Sequence, residues 1–226
     1  NFAVNELQRE VQRNLPYVIG IHRHCDRKLL EQNNVIFVGT PDNNPLIYEA
    51  IQSKLIESPS VAEGYTIACQ PTPWTADGKA IFIVGADERG VLYGVVDFCA
   101  RVASRLSDKD TPLAKQQAFD KIYEFKITEF PRIAKRGIWT WGYVIYDYRR
   151  FLDNMARLRM NELIVWNDTP PLNCCEIIKH AHSRGIRLIL GFHWGWGIEN
   201  LDLSNPAHLR ETREQVLRNF CENYKG

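Results

Sequence analysis

Three apolar segments of this chain recur at one interval. Ile138 in "RGIWTWG", Leu163 in "ELIVWND" and Leu188 in "RLILGFHW" each stand 25 residues from the next. Each segment is short and rich in β-branched or aromatic residues, the pattern of a buried strand. Helical spacing fills the gaps between them. Asp147 can cap a helix whose inner face is Phe151, Leu152, Met155 and Leu158. Asn173, with Glu176 three residues on, makes a capping-box-like start for a second. Cys174, Ile177, Ile178 and Ala181 form its inner face, and Gly185 stops it. Asn205-Pro206 opens a third helix, through Leu209, Val216, Leu217 and Phe220. Equal steps with one helix in each are repeated βα units, which need a parallel sheet with right-handed crossovers. A doubly wound sheet or a (β/α)8 barrel satisfies the pattern.

Upstream the rhythm differs. "VIFVGT" (Val35–Thr40) reads as a strand, and Pro45 opens a helix with Leu46, Ile47, Ala50 and Ile51 on one face. "EGYTIAC" and "KAIFIVGA" read as strands joined through Asp77-Gly78, a hairpin-turn pair. After Gly85 a second helix places Leu92, Val95, Val96, Cys99, Val102 and Ala103 on one face. The result is a small α/β layer domain. "SRLSDKDTPLAKQQ" (Ser104–Gln117) is polar and unpatterned, so it reads as a loop. "KIYEFKITEFP" reads as a strand that closes the small domain or crosses into the next. The expected division is a small α/β domain over 1–120 and the repeated βα units over 121–226.

Composition narrows the classes of partner. A net charge of +1 gives no electrostatic footprint for nucleic acid or an anionic membrane. No apolar run reaches the roughly 18 residues of a membrane helix. "NFAVNELQREVQRNL" reads as an amphipathic helix without a signal peptide's apolar core. The cysteines at 25, 69, 99, 174, 175 and 221 form no C-x-x-C. They read as buried free thiols, favouring a reducing compartment, and no metal or cofactor is expected.

In parallel α/β architectures ligands bind at the carboxyl ends of the strands. Here the first strand ends in Trp139, Trp141 and Tyr143. The second ends in Trp166, Asn167 and Asp168, and the third in His193, Trp194 and Trp196. Five of the 6 tryptophans therefore cluster at three strand ends. Flat indoles with a few polar groups suit a sugar ring, whose C–H faces pack on aromatics while amides and carboxylates take its hydroxyls. The expected substrate-binding set is Trp141, Trp166, Asn167, Asp168, His193, Trp194 and Trp196. Filling a core is the competing role for any one of these indoles. "GADERG" (Gly85–Gly90) lacks the Lys-Ser/Thr of a P-loop and reads as a tight strand-to-helix turn.

Several segments resemble known enzymes. "VIFVGTPDNNPLI", "EGYTIAC" and "AIFIVGADERGVLYGVVDF" resemble the small α/β domain that precedes the catalytic barrel in the β-N-acetylhexosaminidase and α-glucuronidase families of glycoside hydrolases. The "GAD-x-RG-x-x-YG" stretch, Gly85 to Gly94, is the most specific element. "FPRIAKRGIWTWG", "YRRFLDNMARLRMNELIVWND" and "HAHSRGIRLILGFHW" resemble the first strands and helices of their barrel. The resemblance spans residues 30 to 200 and implies a (β/α)8 barrel acting on carbohydrate.

A barrel takes about 250 residues, whereas 90 follow Arg136. The expectation is thus the amino-terminal portion of a glycoside hydrolase, a small domain and the first three βα units. The catalytic carboxylates, which such enzymes hold about 5 to 9.5 Å apart, are expected on later strands, so the catalytic residues here are unknown and this portion is expected to be inactive. The alternative is a non-catalytic carbohydrate-binding or scaffold protein. Asp147 is expected to cap its helix, while Glu199 and Asp202 could face the site. An unfinished sheet exposes edges and apolar surface, so a homodimer or low solubility is expected.

Overall fold

The computed structural model describes residues 2–16, 18–23, 28, 31, 35–75, 78–106, 108–122, 124–167, 171–191, 193, 195 and 197–218. The fold is mixed α/β, and the chain forms two compact units, Asn1–Arg132 and Ile133–Gly226.

The first unit contains α1 (Phe2–Asn14), β1 (Val35–Gly39), α2 (Pro45–Gln52), β2 (Tyr65–Pro71), β3 (Lys79–Gly85), α3 (Glu88–Leu106), α4 (Pro112–Asp120) and β4 (Phe125–Glu129). Its sheet runs β1-β3-β2-β4. β1 pairs parallel with β3; β2 pairs antiparallel with β3 and β4. One face packs Phe37, Ala68, Phe82 and Val84 against Ile47 and Ala50 of α2. The Phe37 and Phe82 rings stack at 4.9 Å. α3 packs on the sheet, and α1 packs on α3. That second layer explains why Tyr93 and Phe98 are buried along with Leu92, Val95 and Val102. A one-faced pattern does not anticipate a helix covered by another helix.

The GAD-x-RG stretch is a structural clasp. The Asp87 carboxylate accepts from the Glu63 N–H (2.8 Å) and the Gly90 N–H (2.8 Å). Arg89 pairs with Glu63 at 2.9 Å. A Cβ at position 90 would lie 2.2 Å from the Gly64 carbonyl oxygen, so the 61–64 loop and the start of α3 touch backbone to backbone. This is the tight strand-to-helix turn expected from the sequence. Gly78 N–H donates to Thr75 C=O (3.0 Å) at the β2–β3 turn; Asp77 lies outside the described residues.

Ser104–Gln117 is not a loop. α3 runs on to Leu106, and α4 starts at Pro112, with the Thr111 hydroxyl accepting from Ala114 N–H. Thr111-Pro112 is a cap-and-N1 signature. It was obscured because α4 buries none of its side chains and so has no apolar period. β4 completes the first sheet, so residues 121–132 lie in the first unit rather than beyond a boundary at 120.

The second unit is β5 (Gly137–Trp139), α5 (Tyr148–Arg157), β6 (Glu162–Trp166), α6 (Cys174–His182), β7 (Arg187–Gly191) and α7 (Pro206–Val216). The strands are parallel in the order β5-β6-β7. The 25-residue step is the register itself: Ile138 faces Leu163, and Leu163 faces Leu188. Leu163 and Val165 are buried, as are Leu152, Met155 and Ala156 of α5 and Cys174, Ile177 and Ala181 of α6. Asn161 ties two strand starts together. Its Oδ1 accepts from Arg136 N–H (2.8 Å), and its Nδ2 donates to Ala134 C=O (2.7 Å). Asp153 of α5 accepts from Arg184 Nε (2.8 Å) and meets His180 Nε2 (2.9 Å), joining α5 to the α6 region.

Three local expectations change. Leu158 ends α5 exposed, because Ala156 takes the buried position. Asn173 caps α6 without a side-chain hydrogen bond, so no capping box forms; Glu176 lies 3.7 Å from Arg149 instead. On α7 the buried residue is Thr212, while Leu209 and Leu217 are exposed; Phe220 lies outside the described residues.

Candidate functional site

The alternation of β5 and β6 sets two faces. Leu163 and Val165 go to the buried one. Trp139, paired with Ile164, and Trp166, paired with Gly191, go to the other. A Cβ at 191 would lie 2.5 Å from Trp166 Cε3, so a side chain there would displace the indole. The bare glycine on β7 makes the room that the ring occupies.

After β5 the chain turns sharply. Trp141 (φ 47°) and Gly142 (φ 79°) are both left-handed, and Tyr143 N–H donates to Thr140 C=O at 2.9 Å. Two left-handed central residues are the type I′ pattern. Glycine accepts that conformation freely; a bulky aromatic does so at a cost. Buried Thr140 anchors the turn. Its N–H donates to Ile164 C=O (3.0 Å), and its hydroxyl accepts from Trp166 N–H (3.3 Å).

The turn lays Trp141 on Trp166. Their centroids are 5.9 Å apart with planes at 21°. Trp139 meets Trp141 edge-on at 4.6 Å and lies tilted 5.6 Å from Trp166. Another flat ring between two indoles would need about 7 Å, roughly 3.5 Å on each side, so nothing inserts between Trp141 and Trp166. Yet Trp141 is 64% exposed and Trp139 48%. The cluster therefore presents an open aromatic surface at the carboxyl ends of β5 and β6.

Of the residues expected at the site, Trp141 and Trp166 come together. Asn167 is half-buried beside them, and its N–H donates to Gly191 C=O at 3.3 Å. His193 is exposed beyond β7. Asp168, Trp194 and Trp196 lie outside the described residues. Trp139 belongs to the cluster but not to the expected set; its place two residues before Trp141 at the strand end is the signal that could have added it.

The carboxylates described nearby have structural duties. Asp147 caps α5, its Oδ1 accepting from Arg150 N–H at 2.9 Å. Asp202 accepts from the Ser204 hydroxyl (2.6 Å) and N–H (2.9 Å), bonds that hold its carboxyl below the usual range. Glu199 is exposed. Among the described residues there is no group of three or more His, Cys, Asp or Glu able to hold a metal, and no helix is long and apolar enough to cross a membrane.

Residues 2–98 match the family model described as Glycosyl hydrolase family 67 N-terminus. No curated protein matches the chain. Among solved structures, the GH20 exo β-N-acetylglucosaminidase from Vibrio harveyi, in complex with N-acetylglucosamine, aligns with a TM-score of 0.49 and 13% identity over 84% of this chain. The chain spans 30% of that structure's length. The resemblance to the glycoside hydrolase superfamily read from the sequence is therefore supported by an independent match over the first 98 residues.

Proposed function

We propose that this chain is the amino-terminal portion of a hydrolase of O-glycosidic bonds, of hexosaminidase or glucuronidase type. Its second unit supplies the first three βα units of a (β/α)8 barrel, and the Trp139–Trp141–Trp166 surface stacks on a sugar ring. The observation that carries this is the outward face of Trp141, held over Trp166 at the carboxyl ends of parallel strands. That is where ligands bind in parallel α/β folds. The family 67 match and the sequential order β5-β6-β7 support it.

On this reading Trp141 and Trp166 form the stacking surface. Asn167, Asp168 and His193 take hydroxyls, and Trp194 and Trp196 extend the aromatic lining. The acid and base carboxylates belong to strands that follow β7, so the chain alone binds sugar without cutting it. β5 and β7 are edge strands, which favours a homodimer. Titrating the chain with N-acetylglucosamine, glucuronic acid and xylobiose, alongside chromogenic glycosides, tests the reading. It expects indole perturbation without turnover; turnover by the chain alone, or no response to any saccharide, contradicts it.

A further inference from the structure

The second unit also carries a hollow lined by none of the expected sugar-site residues. It lies between the end of β5, the 143–147 loop and the first turns of α5, with a volume of about 480 Å³. Ile138 and Phe151 give it a carbon lining, Trp139, Tyr143 and Tyr146 supply aromatic rings, and Arg150 adds a cation.

Three of its other polar side chains are already engaged. The Thr140 hydroxyl accepts from Trp166 N–H. Asp147 faces the first turn of α5, where the Arg150 N–H bonds it and the helix dipole offsets its charge. Asn154 Oδ1 accepts from Arg157 at 2.7 Å. The Arg150 side chain has neither an ion pair nor a hydrogen bond with any described residue. Besides Arg150, the Tyr143 and Tyr146 hydroxyls are left for hydrogen bonding, fewer groups than a hydroxyl-rich ring would use. A flat apolar body with one anionic head matches both the lining and the unspent charge, since guanidinium suits a carboxylate's two oxygens.

We propose that this hollow binds an aryl carboxylate, with Arg150 taking the carboxylate and the ring lying against Trp139 and Tyr143. The site shares Trp139 with the sugar surface but depends on Arg150, so either can fail without the other.

The test titrates the whole chain with 4-methoxybenzoate and with neutral 4-methoxybenzamide, by calorimetry and indole NMR, with N-acetylglucosamine in parallel. The benzoate should bind about tenfold or more tighter than the amide, the scale of a charge-assisted hydrogen bond. Arg150→Gln should abolish that difference, Arg150→Lys should keep part of it, and Tyr146→Ala should weaken both ligands. Arg150 and Tyr146 are exposed, so these variants leave the core intact, and the N-acetylglucosamine response should not change with Arg150. Equal binding of benzoate and amide, no benzoate binding, or benzoate affinity indifferent to Arg150→Gln would overturn the proposal.

Discussion

Trp141 stacks on Trp166 with centroids 5.9 Å apart, and the two are separated by the same 25 residues that set the strand register. The repeat therefore aligns aromatic strand ends as well as strands. Trp141→Ala should weaken saccharide binding about tenfold, since lost stacking and burial together are worth roughly 1–2 kcal/mol. Melting temperature should change little, because the ring is mostly exposed and alanine keeps the Cβ that makes the left-handed backbone costly. Calorimetric titration and thermal melts separate the two effects.

Gly90→Ala should destabilise the first unit by about 1–3 kcal/mol, the usual range for overpacking. The new methyl meets a backbone carbonyl at 2.2 Å, and backbone yields less readily than a flexible side chain. Denaturant unfolding followed by Trp74, whose ring packs on Phe37 and Phe82, reports that unit. An unchanged midpoint would show that the clasp gives way easily.

Asn161→Leu should cost the second unit about 1–3 kcal/mol. It removes from a buried position the side chain that accepts from the Arg136 N–H and donates to the Ala134 C=O, while Arg136 Nη1 keeps its own bond to that carbonyl at 3.2 Å. Hydrogen exchange should then rise at the starts of β5 and β6 before it rises in α6.

Cys99 should resist alkylation at pH 8. Burial first, and then the Glu10 and Glu6 carboxylates, push its thiol from 9.0 up to about 12. The sign for stability follows from proton binding. Between pH 9 and about 12 the unfolded chain gives up this proton while the folded chain keeps it. The contribution is intact below pH 9 and is lost as pH climbs toward 12. Cys99→Ala should therefore show a shallower fall in stability over that window than the parent chain, measured by urea unfolding.

Legibility in the sequence tracked periodicity. The strands of both units, the helix starts at Pro45 and Asn205-Pro206, the cap at Asp147 and the 25-residue register were visible because apolar spacing and turn residues agree there. α4 was hidden because an exposed helix has no apolar stripe. The burial of Tyr93 and Phe98 was hidden because α1, which covers α3, is distant in sequence. At the site, the sequence placed aromatics at strand ends but could not show that Trp141 adopts a left-handed turn. That conformation depends on Thr140 bonding across to β6. Nor could spacing reveal that Gly191 leaves room for the Trp166 ring.

The most direct test follows the indole N–H resonances of the chain during titration with N-acetylglucosamine, glucuronic acid and xylobiose. At least one saccharide should move the Trp139, Trp141 and Trp166 signals in a saturable way and leave Trp74 still. Signals from those three that stay fixed for every saccharide, or that move no more than Trp74, would contradict a sugar-binding surface at the ends of β5 and β6.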